Sequence, residues 1–120
     1  MSEKKAHYAT IERSEDNYQV TYNQEVILQS KQVLLVHEHY SGKDYPPVVY
    51  FPQSAIDSLE TSPTELSTKC PIKGNASYLT YKEAESGIWT YADPKPDLQQ
   101  LKGYYAFAQQ KGFRVSKVTD

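Results

Sequence analysis

The stretch Val33-Leu34-Leu35-Val36-His37-Glu38-His39 decides how this chain folds. Its four consecutive apolar residues predict a strand that is buried on both faces. Side chains alternate along a strand, so Glu38 points to the same side as Leu34 and Val36. A carboxylate on an inward face needs a partner, and we expect Lys73 or a tyrosine hydroxyl to supply it.

Strand signals also dominate the rest of the chain. Short runs rich in β-branched and aromatic residues predict further strands at 18–22, 26–28, 48–51, 76–81, 87–91, 104–108 and 113–117. One helix is expected over residues 53–60, between Pro52 and Pro63, with a second helical turn at 98–101. We therefore predict a mainly β protein: a single domain over residues 6–117, built on a curled antiparallel sheet or a barrel-like (tent-like) sheet with one short helix. Residues 1–5 and 118–120 are expected to be disordered tails.

Composition narrows the classes of function. The 120 residues carry a formal net charge of −2, which argues against bulk binding to nucleic acid or to an anionic membrane. The single cysteine can form neither an internal disulfide nor a zinc site with several thiolates. With no apolar signal segment and no long apolar run, the sequence predicts a cytoplasmic protein.

Two short segments contain the only cysteine, the only tryptophan and a lysine that is expected in a loop. They are Cys70-Pro71-Ile72-Lys73-Gly74 and Trp89-Thr90-Tyr91. Cys70, with lysines nearby, is either a nucleophile or a small buried apolar residue. Lys73 is either an anion ligand or a solvated cation, and the glycine after it permits a tight turn. Trp89 and Tyr91 share one strand face, which forms either a stacking ledge or core packing.

A metal site is not expected. His37 and His39 share a strand face, with Glu38 on the other, but a metal needs a third ligand and nothing places His7 nearby. We predict no metal and no cofactor.

Several motifs combine into one pattern between about residues 18 and 115. They are Glu38 after its apolar strand, Val49-Tyr50-Phe51-Pro52, Cys70-Pro71-Ile72-Lys73-Gly74-Asn75-Ala76-Ser77-Tyr78, Trp89-Thr90-Tyr91-Ala92-Asp93-Pro94 and Gly103-Tyr104-Tyr105-Ala106-Phe107. In this combination the chain resembles the mainly bacterial domain-of-unknown-function family 427, also labelled nucleotidyltransferase-like. The turn at 44–47 departs from the pattern and is expected to reshape one pocket edge.

The resemblance implies a single β-rich domain with a tent-like or barrel-like sheet and a short helix. The label implies nucleotidyl transfer, but that reaction needs closely spaced acidic residues to hold magnesium. The sequence contains no Asp-x-Asp pair and no glycine-serine phosphate loop.

Three hypotheses for function remain open. In the favoured one, the protein binds a small polar or anionic molecule in a pocket lined by Glu38, Tyr50, Cys70, Lys73, Tyr78, Trp89 and Tyr91. In the second, it is a small enzyme in which Cys70 acts as a nucleophile or Glu38 as a general base, and Lys73 stabilises negative charge. In the third, a tyrosine-rich surface binds another protein or a second copy of this chain. The sequence leaves the oligomeric state open.

Overall fold

The computed structural model describes residues 7–119, which form eleven strands and three short helices. The strands are β1 (His7–Ser14), β2 (Tyr18–Tyr22), β3 (Glu25–Ser30), β4 (Val33–Tyr40), β5 (Lys43–Asp44), β6 (Val48–Pro52), β7 (Thr61–Cys70), β8 (Gly74–Tyr81), β9 (Ala84–Thr90), β10 (Tyr104–Phe107) and β11 (Phe113–Lys117). One α-helix, α1, spans Gln53–Ile56, and 3₁₀ helices span Pro96–Leu101 and Gln109–Lys111. The prediction of a mainly β domain with few helices is confirmed.

The strands, which are two to ten residues long, assemble into two antiparallel sheets. The larger has the order β1-β4-β6-β10-β9-β8-β7, with β5 also paired to β4. The smaller has the order β11-β2-β3. Within the described residues β1 pairs only with β4 and β7 only with β8, so the large sheet stays open at both edges. Of the two predicted forms, the chain adopts the open antiparallel sheet, and no closed barrel forms.

The large sheet is buried on both faces, as the apolar run in β4 predicts. On one face Val33 and Phe51 pack against Val20 and Phe113 of the small sheet and against Ile56 of α1. On the other face lies a second apolar cluster, whose fully or nearly fully buried members are Leu34, Val36, Tyr50, Ala76, Tyr91, Leu98, Leu101 and Ala106. Because successive side chains alternate, one strand supplies both clusters, and the residue parity decides which cluster each side chain joins.

Two edge strands were not predicted. The described part of β1 shows only partial burial before Ser14, and β7 is exposed along most of its length. Backbone hydrogen bonds to β4 and to β8 hold these strands, so they need little apolar surface. Pro63 is tolerated in β7 because an edge strand has one unpaired side.

The predicted helix over residues 53–60 is wrong in length. The helix ends at Ile56, where the amide of Leu59 bonds to the Ile56 carbonyl at 2.9 Å in a tighter turn. This turn frees the chain to enter β7 at Thr61. The predicted turn at 98–101 belongs to the 3₁₀ helix Pro96–Leu101.

The predicted N-terminal tail, 1–5, lies outside the described residues. At the other end Val118 still donates its amide to the Asn17 carbonyl at 2.8 Å, so regular pairing extends one residue beyond 117.

The hairpin between β7 and β8 is set by Gly74, which pairs with Cys70 and has a φ of +116°. A Cβ atom at Gly74 would lie 3.2 Å from the carbonyl oxygen of Asp93. The carbonyl of Lys73 accepts a hydrogen bond from the amide of Lys95 at 3.0 Å. The segment that follows β9 therefore holds the loop that carries Lys73.

We predict that Gly74→Ala lowers the free energy of unfolding by about 2–3 kcal/mol, because it combines a strained φ with a backbone contact. Gly42→Ala is the matched control: Gly42 has a φ of +78° but nothing within 4 Å of a Cβ. It should cost about 1 kcal/mol, the strain of the left-handed region alone. Urea unfolding of the three proteins measures both values, and equal losses would show that the Asp93 contact is unimportant.

Candidate functional site

A cavity of about 470 Å³ opens on the face of the large sheet that carries Glu38. Six of the seven residues predicted to bind a ligand line it: Glu38, Tyr50, Lys73, Tyr78, Trp89 and Tyr91. We call it the Lys73 cavity. The structure therefore brings these six side chains to one place, and the seventh, Cys70, lies just outside the wall.

The register of neighbouring strands explains this convergence. Tyr78 of β8 pairs with Trp89 of β9, and Trp89 pairs in turn with Ala106 of β10. At the other side of the sheet Tyr50 of β6 pairs with Leu34 of β4, which has the same parity as Glu38. Three of these five adjacent strands thus direct an aromatic side chain to one face, while the small Ala106 of β10 leaves space between them.

Lys73 and Glu38 form an ion pair across this hollow. The ammonium Nζ lies 2.5 Å from Oε1 of Glu38, and Lys73 is only 7% exposed. This confirms the expected contact between the inward carboxylate and Lys73. The strands β4 and β8 are separated by three others in the sheet, so a contact between the end of β4 and the β7–β8 loop requires the sheet to curl.

His7 completes the cluster and was missed by sequence reasoning. Its Nε2 lies 2.9 Å from Oε2 of Glu38, so each carboxylate oxygen has its own partner. His7 belongs to β1 and faces Tyr40 across the pair of strands, on the opposite side of the sheet from His37 and His39. The signal that could have revealed β1, and with it His7, is the alternation of apolar and polar residues between Tyr8 and Glu12.

The environment of Glu38 favours its ionised form. Partial burial by itself raises the pKa of Glu38, but hydrogen bonds from Lys73 and His7 and the charges of both lower it by more. The net result is a pKa below the usual value. Glu38 is therefore a carboxylate that accepts hydrogen bonds, and a weak base.

Tyr50 and Tyr91 supply neutral hydroxyl groups to the cavity. Burial raises the pKa of both phenols well above the usual value, so both stay protonated at any physiological pH. The Tyr50 oxygen accepts a hydrogen bond from Trp89 Nε1 at 3.1 Å. Within residues 7–119 neither hydroxyl donates to a protein acceptor, which leaves both O–H groups able to donate to a bound molecule.

Two further residues differ in how they face the cavity. Tyr78 reaches the edge strand, where its hydroxyl lies 2.7 Å from that of Thr68, so the ring is fixed as a wall. The sulfur of Cys70 lies 3.9 Å from Lys73 Nζ but packs beside the apolar cluster that includes Leu34 and Leu98. The position of Cys70 combines both predicted features, contact with an apolar cluster and closeness to a cation.

A second hollow of about 510 Å³ adjoins the first. It is lined by His7, Glu38, Tyr40, Tyr45, Pro46, Val48 and Pro71. Glu38 and Val48 belong to both hollows, so the carboxylate divides them, with Lys73 on one side and His7 on the other. Tyr45 and Pro46 come from the turn at 44–47, which forms one edge of this second hollow.

The remaining histidines pair with separate carboxylates. His37 Nε2 lies 3.0 Å from Glu12, and His39 hydrogen-bonds to Asp44. Over the described range, 7–119, no three His, Cys, Asp or Glu side chains come close enough together to hold a metal ion.

Other cavity residues were also missed. Leu66 lies on the unpredicted strand β7, and Gln110 and Lys111 lie on the second 3₁₀ helix, at the turn before β11. All three are exposed, and no local sequence signal distinguishes such rim residues from other surface positions.

Fold and site together define a class of protein: an open, curled β sheet with a small cavity beside a partly buried ion pair. The family described as "Domain of unknown function (DUF427)" matches residues 10–120, and the chain belongs to that family. The resemblance seen in the motifs is thereby confirmed. A comparison with curated proteins found no match. In the described part of the chain no helix has the length and apolar character needed to cross a membrane.

The ion pair predicts a pH dependence of stability. The pKa of Glu38 is lowered on folding, so its contribution is present above the ordinary glutamate range and is lost as the pH falls through the folded-state pKa. Glu38→Gln should lower the free energy of unfolding by about 1 kcal/mol at pH 7. This deficit relative to wild type should shrink as the pH falls below about 4.

Urea unfolding at pH 7, 5 and 3.5 measures this difference. Glu65→Gln, at an exposed position of β7, is the control and should change stability little at any pH. A Glu38→Gln deficit that stays constant over this range would contradict the lowered pKa.

Proposed function

We propose that this protein binds a small polar or anionic molecule in the Lys73 cavity. The observation that carries the proposal is the convergence of a buried ammonium, two neutral phenols and an indole on one hollow of about 470 Å³. A cavity of this size, with apolar walls and a few directed polar groups, is typical of small-molecule sites.

The polar end of the cavity supports recognition by hydrogen bonds. An ammonium group has three donors, and on Lys73 Glu38 occupies one and the sulfur of Cys70 another. The hydroxyls of Tyr50 and Tyr91 add donors that do not ionise in the physiological range. A ligand atom that accepts hydrogen bonds therefore has several donors available at this end.

The aromatic end supports contact with a flat, apolar body. The Trp89 indole is partly buried and lies nearly perpendicular to the Tyr50 ring, with the centroids 6.3 Å apart. Tyr78, held by its bond to Thr68, stands beside Trp89 on the neighbouring strand. Rigid aromatic walls bury a ligand ring with little loss of side-chain entropy.

The same observations favour binding over catalysis. Both oxygens of Glu38 already accept hydrogen bonds, and its lowered pKa makes it a poor general base. Cys70 is not among the residues that line the cavity, although its sulfur lies 3.9 Å from Lys73 Nζ. These features support a site that holds a molecule through fixed polar groups.

The proposal predicts that some members of a panel of metabolites (nucleotides, sugar phosphates, carboxylic acids and amides) raise the melting temperature. Trp89 is the only tryptophan in the chain, so its fluorescence reports on the cavity directly. Lys73→Met should weaken the affinity of any ligand so found by at least about tenfold, since a charged hydrogen bond is lost.

Lys69→Met is the matched control, because Lys69 is an exposed lysine of the same hairpin. It should bind as wild type does. Tyr91→Phe removes one hydroxyl without emptying space and should give a smaller loss. The absence of any stabilising compound, or equal affinities for Lys73→Met and Lys69→Met, would refute the proposal.

A further inference from the structure

The charge balance in the Lys73 cavity restricts which ligands suit it. Lys73 is buried, and the carboxylate of Glu38 lies 2.5 Å from its ammonium group. Within this pair the positive charge of Lys73 and the negative charge of Glu38 cancel. An anion placed beside Lys73 would also lie beside Glu38, so it would lose its hydration without gaining an unopposed cation.

Building on the proposed function, we infer that the ligand is an uncharged molecule whose carboxamide-type group meets the Lys73–Glu38 pair and whose flat ring lies against Trp89. Of the small polar or anionic molecules in the proposed function, the inference keeps the uncharged polar ones and excludes the anions. The inference rests on the geometry of the pair and on the groups that surround it.

The pair presents a donor and an acceptor side by side. Lys73 donates one hydrogen to Glu38 and one, at 3.9 Å, to the sulfur of Cys70, which leaves the third N–H without a partner among the described residues. Each oxygen of Glu38 accepts one hydrogen bond and has lone pairs left, and the side chain is 32% exposed. A carboxamide carries the complementary set, because its carbonyl oxygen accepts and its adjacent N–H donates. A carboxylate carries acceptors only and would face the Glu38 oxygens with no hydrogen to share.

The surrounding groups suit a carbonyl oxygen as well. The hydroxyls of Tyr50 and Tyr91 are neutral donors, so they can bond to a carbonyl without any balancing charge. Trp89 and Tyr78 provide the apolar walls for a ring attached to that carbonyl. Each part of the expected ligand thus has a matching part of the cavity.

One other cation, Lys111, also lines the cavity. Lys111 is exposed, so water and salt screen its charge, whereas the buried pair is screened much less. Lys111 is therefore expected to change the preference between charged and uncharged ligands only a little at physiological ionic strength.

Two matched pairs of probes test the inference: benzamide with benzoate, and nicotinamide with nicotinate. Within each pair the ring is the same and only the charge and the hydrogen-bonding pattern change. Binding is measured by Trp89 fluorescence at pH 8, where histidine side chains are ordinarily uncharged, and in about 0.15 M salt. Wild type should bind each amide at least about tenfold more tightly than the matching acid.

Glu38→Gln should reverse this preference, because it leaves the Lys73 ammonium without its carboxylate while keeping the shape of the side chain. Lys69→Met, which removes an exposed lysine that does not line the cavity, should leave the preference as in wild type. If Glu38→Gln does not fold, Lys73→Met serves instead: it retains the carboxylate alone and should increase the discrimination against the acids.

The outcomes separate this inference from the proposed function. If the acids bind as tightly as the amides or more tightly, the cavity binds small molecules but the uncharged class is wrong. An amide preference that Glu38→Gln leaves unchanged would also overturn the inference. If no probe binds, the inference fails, and the metabolite panel decides separately whether the cavity binds anything.

Discussion

The ammonium of Lys73 is buried, and among the described residues its one carboxylate partner is Glu38. This contact joins two parts of the large sheet that are not neighbours, the β7–β8 loop and the outer half of β4. A flat sheet would hold these parts several strand widths apart, about 5 Å for each strand. The sheet must therefore curl for the pair to form, and the curled surface encloses the cavity. Through its second oxygen Glu38 also holds His7, which ties the edge strand β1 to the same point.

Small residues on the cavity face leave the space that a ligand would occupy. Ala76 and Ala106 are almost completely buried on this face and occupy little volume. The same face carries the large rings of Tyr50 and Trp89, so the cavity lies between large side chains and above small ones. The opposite face is covered by the small sheet and α1, against which Phe51 and Phe107 pack.

Sequence patterns predicted the strands and side-chain directions that depend on the burial of apolar residues. The apolar run in β4 and the parity of Glu38 predicted its inward direction, and five other candidates were brought to the same cavity. The strands β1 and β7 escaped prediction because backbone pairing holds them without a continuous apolar face. His7 was missed with β1, since its role exists only once that strand lies beside β4. Cys70 is three residues from Lys73 in sequence and its sulfur lies 3.9 Å from the ammonium, yet the residue packs against the apolar cluster and does not line the cavity, which sequence distance could not reveal.

The presence of an ion pair inside the hollow is itself informative about its role. Removing two charges from water is costly, and apolar residues of similar volume often stabilise a protein as well or better in such places. Stability alone therefore gives a weak reason for Lys73 and Glu38 to face each other here. The pair keeps unused donors and acceptors directed at the cavity, next to two phenols that keep their protons. The charges of these polar groups cancel, but not all of their hydrogen bonds are made. An uncharged polar ligand would make the missing hydrogen bonds. Recognition of such a ligand explains the pair better than its contribution to folding does.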